Sequence, residues 1–167
     1  MPALSENLLF YSKSSLFLLE INSKSNLKNP DSIRNIVIKA IERSAMDNET
    51  WKYSKIVQEP FDKLKHEFEL DASELPIFEV QGELKHTLIT TRRIIEKTSS
   101  AVIKVEIENI DDVMYGLFKG QIEKPELSTF RIIDLYGDQI DFQLETGKAA
   151  VGLIKSVNMV RKLVADR

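Results

Sequence analysis

Cysteine is absent from the 167-residue chain, and histidine occurs only at His66 and His86. Without a thiol the chain cannot form disulfides, thiolate zinc sites, iron–sulfur clusters or a cysteine nucleophile. Two imidazoles likewise exclude a metal site made of three histidines from one chain. Six glycines and five prolines are too few for a collagenous or low-complexity sequence. These absences leave an ordinary globular protein as the expected class.

Long apolar runs are also absent. The longest, Leu8–Tyr11 and Leu16–Leu19, have four residues each, whereas a membrane helix needs about 20. No basic cluster precedes an apolar stretch near Met1, so the pattern of a signal peptide is missing. We therefore expect one globular domain over 1–167, in the cytoplasm and without a membrane partner.

Three segments have the sequence features of helices. In the first, Asn29 can act as N-cap and Pro30 fits the first helical position, and apolar residues then recur every three or four positions. This pattern predicts a helix over 30–46. A shorter amphipathic helix is predicted over 60–70. The chain closes with a third predicted helix, about 148–165, which has an apolar stripe and lysines every seven residues on its polar side.

Alternation of apolar and polar residues predicts strands in the rest of the chain. Apolar residues lie on only one side of each predicted strand, which favours an antiparallel sheet. We therefore expect an α+β domain with a twisted antiparallel sheet of about six strands. A weaker alternation over 51–55 fits a further short strand. The six main segments are 15–21, 77–88, 103–108, 113–122, 130–135 and 139–144.

The closing helix carries apolar residues outside its main stripe. Val151, Met159 and Leu163 would face water if the helix packed only on its own sheet. Exposed apolar groups of this kind often cover a subunit contact. The sequence therefore suggests a homo-oligomer that assembles through these three residues, the alternative being a helix on its own sheet with solvated lysines.

Two aspartates are predicted to face each other in a hairpin. A tight turn at Gly137 and Asp138 would put Asp134 directly opposite Asp141, with about 5 Å between the Cβ atoms. Two such carboxylates need a nearby cation, which could be Mg²⁺ or another hard metal. The alternative is water together with a lysine or arginine from a neighbouring strand.

A further acidic cluster lies at Glu79 and Glu83-Leu84-Lys85. The Glu-x-Lys triplet resembles the metal-binding core of restriction-type nucleases, over three residues and without the Pro-Asp dipeptide of that family. The resemblance implies that Glu79 or Asp71 and Glu83 would share Mg²⁺ while Lys85 would orient a water or stabilise charge on the phosphate. The alternative is a solvated strand face of alternating charge.

Basic residues are concentrated at Lys85, Arg92, Arg93, Lys97 and Lys104. Together with the closing helix they could neutralise nucleic-acid phosphates. The group contains no aromatic residue for stacking on single strands, and the chain is acidic overall. Nucleic-acid binding is therefore the less favoured interpretation of this group.

The formal charge of −3 is unevenly distributed. Residues 1–104 sum to zero, residues 105–145 to −7 and residues 146–167 to +4. This layout favours internal or intersubunit complementarity. We therefore expect a non-enzymatic interaction or assembly module without a cofactor, homo-oligomeric or bound to another protein. The alternatives are a magnesium-dependent nuclease or phosphodiesterase and a nucleic-acid-binding module without catalysis.

Overall fold

The computed structural model describes residues 28–44, 48–120 and 124–165, and in these ranges the chain forms three helices, eight strands and two short 3-10 turns. The helices are α1 (Pro30–Ser44), α2 (Asp62–Glu67) and α3 (Lys148–Ala165), and the 3-10 turns cover Asn48–Thr50 and Ile107–Asn109. The strands are β1 (Ser54–Ile56), β2 (Pro76–Gln81), β3 (His86–Thr90), β4 (Arg93–Lys97), β5 (Val102–Glu106), β6 (Ile110–Met114), β7 (Leu127–Asp134) and β8 (Gln139–Glu145). This arrangement confirms the α+β class and the antiparallel pairing.

Strands β1 to β5 form a five-stranded antiparallel sheet in chain order. Between β2 and β3, Phe78 pairs with Ile89 and Glu79 pairs with Leu88. Because successive residues of a strand point to opposite sides, the sheet has two chemically different faces. We call the face with Phe78 and Ile89 the inner face and the face with Glu79 and Leu88 the outer face.

Strands β6, β7 and β8 form a second antiparallel sheet, which covers the inner face of the first. Phe130 of β7 and Phe142 of β8 are almost fully buried, and their rings stack with 5.8 Å between centroids. Both belong to the same buried cluster as Phe78 of the first sheet. The main core is therefore formed between the two sheets.

Helices α1 and α3 lie against each other and close this core. Ile33, Val37 and Ile41 recur at helical spacing on α1 and are buried. On α3, a Cβ added at Gly152 would lie 2.9 Å from a ring carbon of Phe78, which is too close for a side chain. The glycine therefore lets α3 approach the sheet closely.

The outer face of the first sheet is covered by α2 and the segments around it. A second, smaller cluster of buried residues lies here, separate from the main core. It consists of Val57, Phe68, Leu88 and Ile95, with Phe61, Leu64 and Leu70 packed against it. Each face of the sheet thus has its own apolar cover.

The helix predictions correspond well to the structure. The predicted helix 148–165 has the bounds of α3, and 30–46 agrees with α1 up to Ser44, where the described residues pause. The N-cap prediction is confirmed, since Asn29 Oδ1 accepts a hydrogen bond of 3.0 Å from the Asp31 amide. The middle helix is shorter than predicted, because only Asp62–Glu67 is helical.

The single strand predicted over 77–88 is wrong. The chain turns after Gln81, and the Gly82 amide donates to the Lys85 carbonyl over 2.9 Å, so this segment forms the β2–β3 hairpin. The predicted count of about six strands is therefore too low, since eight occur within the described ranges. The prediction over 15–21 lies outside the described residues.

The remaining strand predictions are shifted rather than wrong in kind. The strand predicted over 103–108 is β5, Val102–Glu106. The one predicted over 113–122 overlaps β6, Ile110–Met114, only at 113–114, and residues 115–120 are not in a strand. Gly116 follows β6 with a φ of +58°, a conformation that favours glycine and ends the strand. None of the helices in the described ranges has the length and apolarity needed to cross a membrane.

Candidate interaction edge and buried charge clusters

Strand β5 is one edge of the five-stranded sheet and pairs only with β4 among the described residues. Its first two residues are large and apolar, yet Val102 is 57% exposed and Ile103 is 41% exposed. Because they are consecutive, Val102 lies on the outer face and Ile103 on the inner face. The edge therefore exposes apolar surface on both sides of the sheet.

Within the described ranges, the backbone groups on the outward side of this edge also have no strand partner. Thr98 N donates to Ala101 O at one end of the β4–β5 ladder, and Ile107 N donates to Arg92 O at the other. In an antiparallel ladder, residue pairs that exchange backbone hydrogen bonds alternate with pairs that do not. Between these two ends, the residues whose backbone N–H and C=O groups bond to β4 are therefore Ile103 and Val105. The amides and carbonyls of Val102, Lys104 and Glu106 consequently point away from the sheet, where another strand could pair with them.

A single charge marks the middle of this edge. Lys104 is exposed, lies between Ile103 and the buried Val105, and shares the outer face with Val102. A lysine on an edge strand disfavours pairing with a like-charged strand. It favours a strand that carries an acid at the matching position. We call Val102–Glu106, with its open backbone, the β5 edge.

The edge of the second sheet at β8 has a different environment. The Gln143 amide points away from β7 and donates over 2.7 Å to Oε2 of Glu96, which stands on the inner face of β4. The same carboxylate accepts from Thr87 Oγ1 at 2.8 Å and from Lys85 Nζ at 2.7 Å. Glu96 is 1% exposed. This buried carboxylate therefore closes the β8 edge against the first sheet.

A second buried carboxylate acts at the end of β8. Glu145 is 1% exposed, and its two oxygens accept from the amides of Lys52 and Tyr53 at 2.7 Å and 2.9 Å. These amides precede β1, so the bond joins the start of the first sheet to the end of the second. Hydrogen bonds to an ionised acceptor are stronger than those between neutral groups. Both carboxylates thus fasten the two sheets together.

Arginines of the predicted nucleic-acid group pair with acids. Arg93 is buried and donates to both oxygens of Glu74 at 3.0 Å and 2.8 Å. Burial alone would lower the pKa of Arg93, but the hydrogen bonds and charge of Glu74 raise it above its ordinary value. Arg92 bonds to Asp71 and to Glu106. Both guanidinium charges are thus committed to carboxylates of the same chain.

Two of the three lysines of that group have partners as well, whereas Lys104 is exposed on β5. Lys85 pairs with Glu96, and Lys97 Nζ donates to the backbone carbonyl of Glu67 over 2.9 Å. Lys85 lies on the inner face, whereas Lys97 lies on the outer face with α2. These residues therefore form two separate sets of contacts, and nucleic-acid binding through Lys85, Arg92, Arg93 and Lys97 stays a prediction that their pairing does not favour.

A histidine between two carboxylates lies on the outer face. His86 Nε2 is 2.6 Å from Glu79 Oε2, and its Nδ1 is 3.3 Å from Glu67 Oε1. Lys55 Nζ also pairs with Glu79 at 2.9 Å. Burial would raise the pKa of Glu79, but the hydrogen bonds from His86 and Lys55 outweigh it and hold that pKa below its ordinary value.

This cluster borders a cleft of ≈ 290 Å³ on the outer face. A histidine that acts as general base needs one ring nitrogen free to face the substrate. Both nitrogens of His86 already face carboxylates, and its ring packs edge-on against Phe68 with 4.8 Å between centroids. The geometry therefore makes His86 a link between α2, through Glu67, and the sheet, through Glu79.

The residues of the nuclease alternative do not converge. Glu79 is on the outer face with Lys55 and His86, whereas Lys85 pairs with Glu96 on the inner face. Glu83 is exposed in the hairpin turn between β2 and β3. The sequence pattern assumed one continuous strand, and the turn separates its members onto different surfaces. Within the described ranges no group of three side chains with metal-ligating chemistry comes together.

The predicted pairing of Asp134 with Asp141 is wrong. The hairpin pairs Ile133 with Gln139, and residues 135–138 connect β7 to β8, so the register differs from the predicted one. Asp141 instead faces Arg131, which donates to its two oxygens at 2.7 Å and 3.0 Å and holds the pKa of Asp141 below its ordinary value.

Asp134 has a local role in this loop. Its Oδ1 accepts from the amides of Tyr136 and Asp138, each at 2.9 Å. An aspartate that bonds its own following backbone stabilises a turn. Asp134 therefore stabilises the turn, whereas Asp141 forms a cross-strand ion pair with Arg131. This ion pair matches the alternative in which an arginine of a neighbouring strand supplies the cation.

The three residues of the predicted interface on α3 are less exposed than the sequence suggested. Leu163 is only 6% exposed and belongs to the main core, and Met159 and Val151 are partly buried. The expectation that all three face water assumed that α3 packs only on the sheet. Because α1 also lies along α3, the buried arc of the helix is wider. Assembly through Val151, Met159 and Leu163 stays a prediction that no structural comparison tests.

The β5 edge is a candidate binding surface that the sequence pattern alone does not reveal. The alternation of Ile103, Val105 and Ile107 predicts a half-buried strand, but it leaves out Val102, which precedes the alternating residues. Val102 breaks the alternation of apolar and polar residues in β5. An apolar residue at such a position puts apolar side chains on both faces of the strand, and this is the sequence feature that indicates the edge. No family model, curated protein or solved structure matches this chain at a significant level.

Proposed function

We propose that the protein is a non-enzymatic interaction module whose β5 edge binds an extended segment of a protein partner. The observation that carries this proposal is a backbone edge that no other described strand pairs with, together with exposed apolar residues on both faces, Val102 and Ile103. Natural sheet edges are usually short, covered or charged throughout. Addition of a strand to such an edge is a common mode of peptide recognition, with backbone bonds supplying affinity and side chains supplying specificity.

The chemistry of the edge defines the partner segment. Val102, Ile103 and Val105 call for apolar side chains, and Lys104 calls for an acid on the outer face. The preferred segment therefore has two apolar residues, an acid and a further apolar residue. A second β5 strand is a poor partner, because antiparallel pairing centred on Lys104 would bring two lysines together.

The proposal is tested with two synthetic fluorescent peptides and the full chain. The central residues of one are Leu, Ile, Glu and Val, and the other has Lys in place of Glu. We expect the acidic peptide to bind about tenfold more tightly, since one opposite-charge pair replaces one like-charge pair across the strands. Fluorescence anisotropy measures both affinities, and hydrogen exchange should show protection at 102–106.

The variant Lys104→Glu provides the decisive arm. It should reverse the preference so that the basic peptide binds more tightly, whereas Lys119→Glu, an exposed lysine outside the sheets, should leave it unchanged. Equal binding of both peptides by every variant, or protection outside 102–106, would refute a site at this edge.

The earlier alternatives receive less support. The nuclease residues lie on two surfaces. In the basic group, Lys85, Arg92 and Arg93 pair with acids of the same chain and Lys97 donates to a backbone carbonyl. Homo-oligomerisation through α3 depends on Val151 and Met159, since Leu163 is buried within one chain. Light scattering at micromolar concentration, with and without Met159→Lys, distinguishes that assembly from the β5 edge. A dimer that Met159→Lys dissociates, together with absent peptide binding, would favour α3.

A further inference from the structure

Two buried polar atoms near the start of β1 have no hydrogen-bond partner among the described residues. They are Nε1 of Trp51 and Oγ of Ser54, and each can donate a hydrogen bond. Buried polar groups of native proteins nearly always have a partner in the protein, in ordered water or in a ligand. These two donors therefore call for an acceptor that the described part of the chain does not supply.

Trp51 and Ser54 line one cavity at the β1 edge of the five-stranded sheet, with a volume of ≈ 370 Å³. Ser54 pairs with Val80, which places its side chain on the inner face. Trp51 lies on the same face, since its ring centroid is 5.6 Å from that of Phe78. Both residues therefore reach the cavity from the inner side of the sheet. The other lining residues are Lys52, Tyr53, Lys55, Glu79 and Gln81.

The backbone of β1 adds a further donor at this edge. The Gln81 amide donates to the Tyr53 carbonyl over 2.7 Å at one end of the β1–β2 ladder, and Val57 N donates to Ile77 O over 2.9 Å at the other. Bonded and non-bonded residue pairs alternate between these ends, so the amide of Ser54 points away from β2. Ser54 thus offers both its amide and its hydroxyl at the edge.

Two lysines supply positive charge beside these donors. Lys52 Nζ is 4.7 Å from the centroid of the Tyr53 ring. Lys55 is 67% exposed, and its Nζ is 2.9 Å from Glu79 Oε1. An ammonium group has three N–H donors, so the bond to Glu79 leaves Lys55 two others. With two lysines and one glutamate, the lining of the cavity has an excess of one positive charge.

We propose that this cavity binds the carboxylate of a small organic acid. The carboxylate oxygens accept from the unpartnered donors of Trp51 and Ser54, and such bonds to an ionised acceptor are stronger than those between neutral groups. A single carboxylate also matches the excess of one positive charge. The rings of Trp51 and Tyr53 offer aromatic surface to the apolar part of the acid. The inference goes beyond the proposed function, because β1 and β5 are opposite edges of the sheet.

Trp51 also borders a second cavity, of ≈ 390 Å³, which suits an anion less well. Glu145 lines that cavity, and its carboxylate already accepts from the amides of Lys52 and Tyr53. Its negative charge would repel a second carboxylate. Ser54 is not among the residues that line it. The cavity at the β1 edge is therefore the one that brings the two unpartnered donors together.

The single tryptophan of the chain makes a direct test possible, because its fluorescence and its indole N–H resonance both come from Trp51. Benzoate is the probe, and benzamide, which has a similar shape and no charge, is the control ligand. We expect benzoate to shift both signals saturably at millimolar concentration and to bind at least tenfold more tightly than benzamide, since only benzoate forms charge-assisted bonds. Equal affinities, or changes that do not saturate, would overturn the inference.

A pair of serine variants tests the position of the ligand. Ser54→Ala should weaken benzoate binding about tenfold. Ser156→Ala should leave it unchanged, because Ser156 is also buried but its Oγ donates to the Gly152 carbonyl over 2.8 Å. Without benzoate, Ser54→Ala should keep the melting temperature of the wild type, since its hydroxyl has no partner in the described chain. Unchanged benzoate affinity in Ser54→Ala would overturn the inference.

A pair of lysine variants tests the charge. Lys52→Met should weaken benzoate binding several-fold, whereas Lys39→Met, at an exposed lysine of α1, should leave it unchanged. Lys52 is preferred to Lys55 for this test, because Lys55 also pairs with Glu79. Equal losses in the two lysine variants would show that benzoate responds only to the overall charge, and the inference would fail.

Discussion

The outward backbone groups of two sheet edges, β8 and β5, have different environments. At β8 the outward amide of Gln143 meets the buried carboxylate of Glu96. At β5 the outward backbone groups of Val102 and Lys104 meet no other element of the described chain. The contrast shows that an edge can be closed by a side chain that accepts its hydrogen bonds. It also makes the β5 edge informative, because the described part of the chain closes one sheet edge with a side chain and provides no such acceptor at the other.

The closed edge depends on two carboxylates whose neighbours satisfy them. Glu96 receives three donors and Glu145 receives two. A buried carboxylate is tolerated when such donors replace its hydration. Within the described ranges, no buried carboxylate accepts from the outward amides of the β5 edge. Its apolar residues Val102 and Ile103 are partly exposed to water. Substitutions at the two edges should therefore have different consequences for stability and for binding.

Removal of Glu96 should have the largest effect on stability. In Glu96→Ala the Gln143 amide, the Thr87 hydroxyl and Lys85 all lose their acceptor, while Lys85 can regain water. We expect a loss of about 2–4 kcal/mol in the free energy of unfolding. Urea denaturation measures it, with the exposed Glu83→Ala as control at about 0.5 kcal/mol or less. A small loss at Glu96 would contradict the idea that it closes the β8 edge.

Removal of Glu145 should cost somewhat less. Glu145→Ala leaves the amides of Lys52 and Tyr53 without their acceptor, near the surface where water can partly replace it. We expect a loss of about 1–3 kcal/mol. The exposed Glu126→Ala is the control on the other side of the same hairpin. Equal stability of the two variants would show that the bond between the sheets contributes nothing.

The acid dependence of stability should change in Glu79→Gln. Lys55 and His86 hold the pKa of Glu79 below its ordinary value of 4.5, so the unfolded chain binds more protons near that pH. The stability that this carboxylate provides is present above 4.5 and is lost as pH falls through its folded-state pKa. Glu67 also faces His86, with 3.3 Å between Oε1 and Nδ1.

Denaturation midpoints between about pH 6 and about pH 2 test this dependence. The difference between wild type and Glu79→Gln should shrink as the pH falls. Asp134→Asn is the control, because its carboxylate accepts from backbone amides at the β7–β8 turn, on the other sheet from the Glu79 cluster. A constant difference across the range would exclude Glu79 as a source of the acid sensitivity.

The smallest stability effect is expected at the open edge. Val102→Thr and Val105→Thr make the same change in the same strand, but Val102 is 57% exposed and Val105 is 6% exposed. We expect about 0.5 kcal/mol or less at Val102 and about 1–2 kcal/mol at Val105, where a hydroxyl would be buried. Peptide affinity should fall more at Val102. A larger loss of stability at Val102 would show that the edge is covered by something essential to folding.

Local signals in the sequence were sufficient for the long helices. Asn29 and Pro30 define the start of α1, and the apolar stripe after Lys148 continues to Ala165. These features act within one turn of helix and do not depend on tertiary contacts. The α+β class followed from the one-sided alternation of the strands.

The turns were less predictable, and the site assignments depended on them. Alternation continues without a break from Phe78 to Leu88, and the turn after Gly82 carries none of the usual two-residue hairpin pairs. This turn, absent from the predicted continuous strand, places Glu79 and Lys85 on opposite faces of the sheet. The burial of Leu163 and Glu96 could not be predicted either, because it depends on α1 and β8, which are distant in sequence.

The links made by Glu96 and Glu145 also bear on how the chain could be divided. Glu96 bonds to a residue 47 positions later, and Glu145 to residues more than 90 positions earlier. A cut at the turn Ile107–Asn109 would separate the two sheets and leave each fragment with carboxylates or amides that lack partners. We therefore expect neither fragment to fold alone. Mixing the two fragments should restore the native fold only if these carboxylates find the same amides across the break.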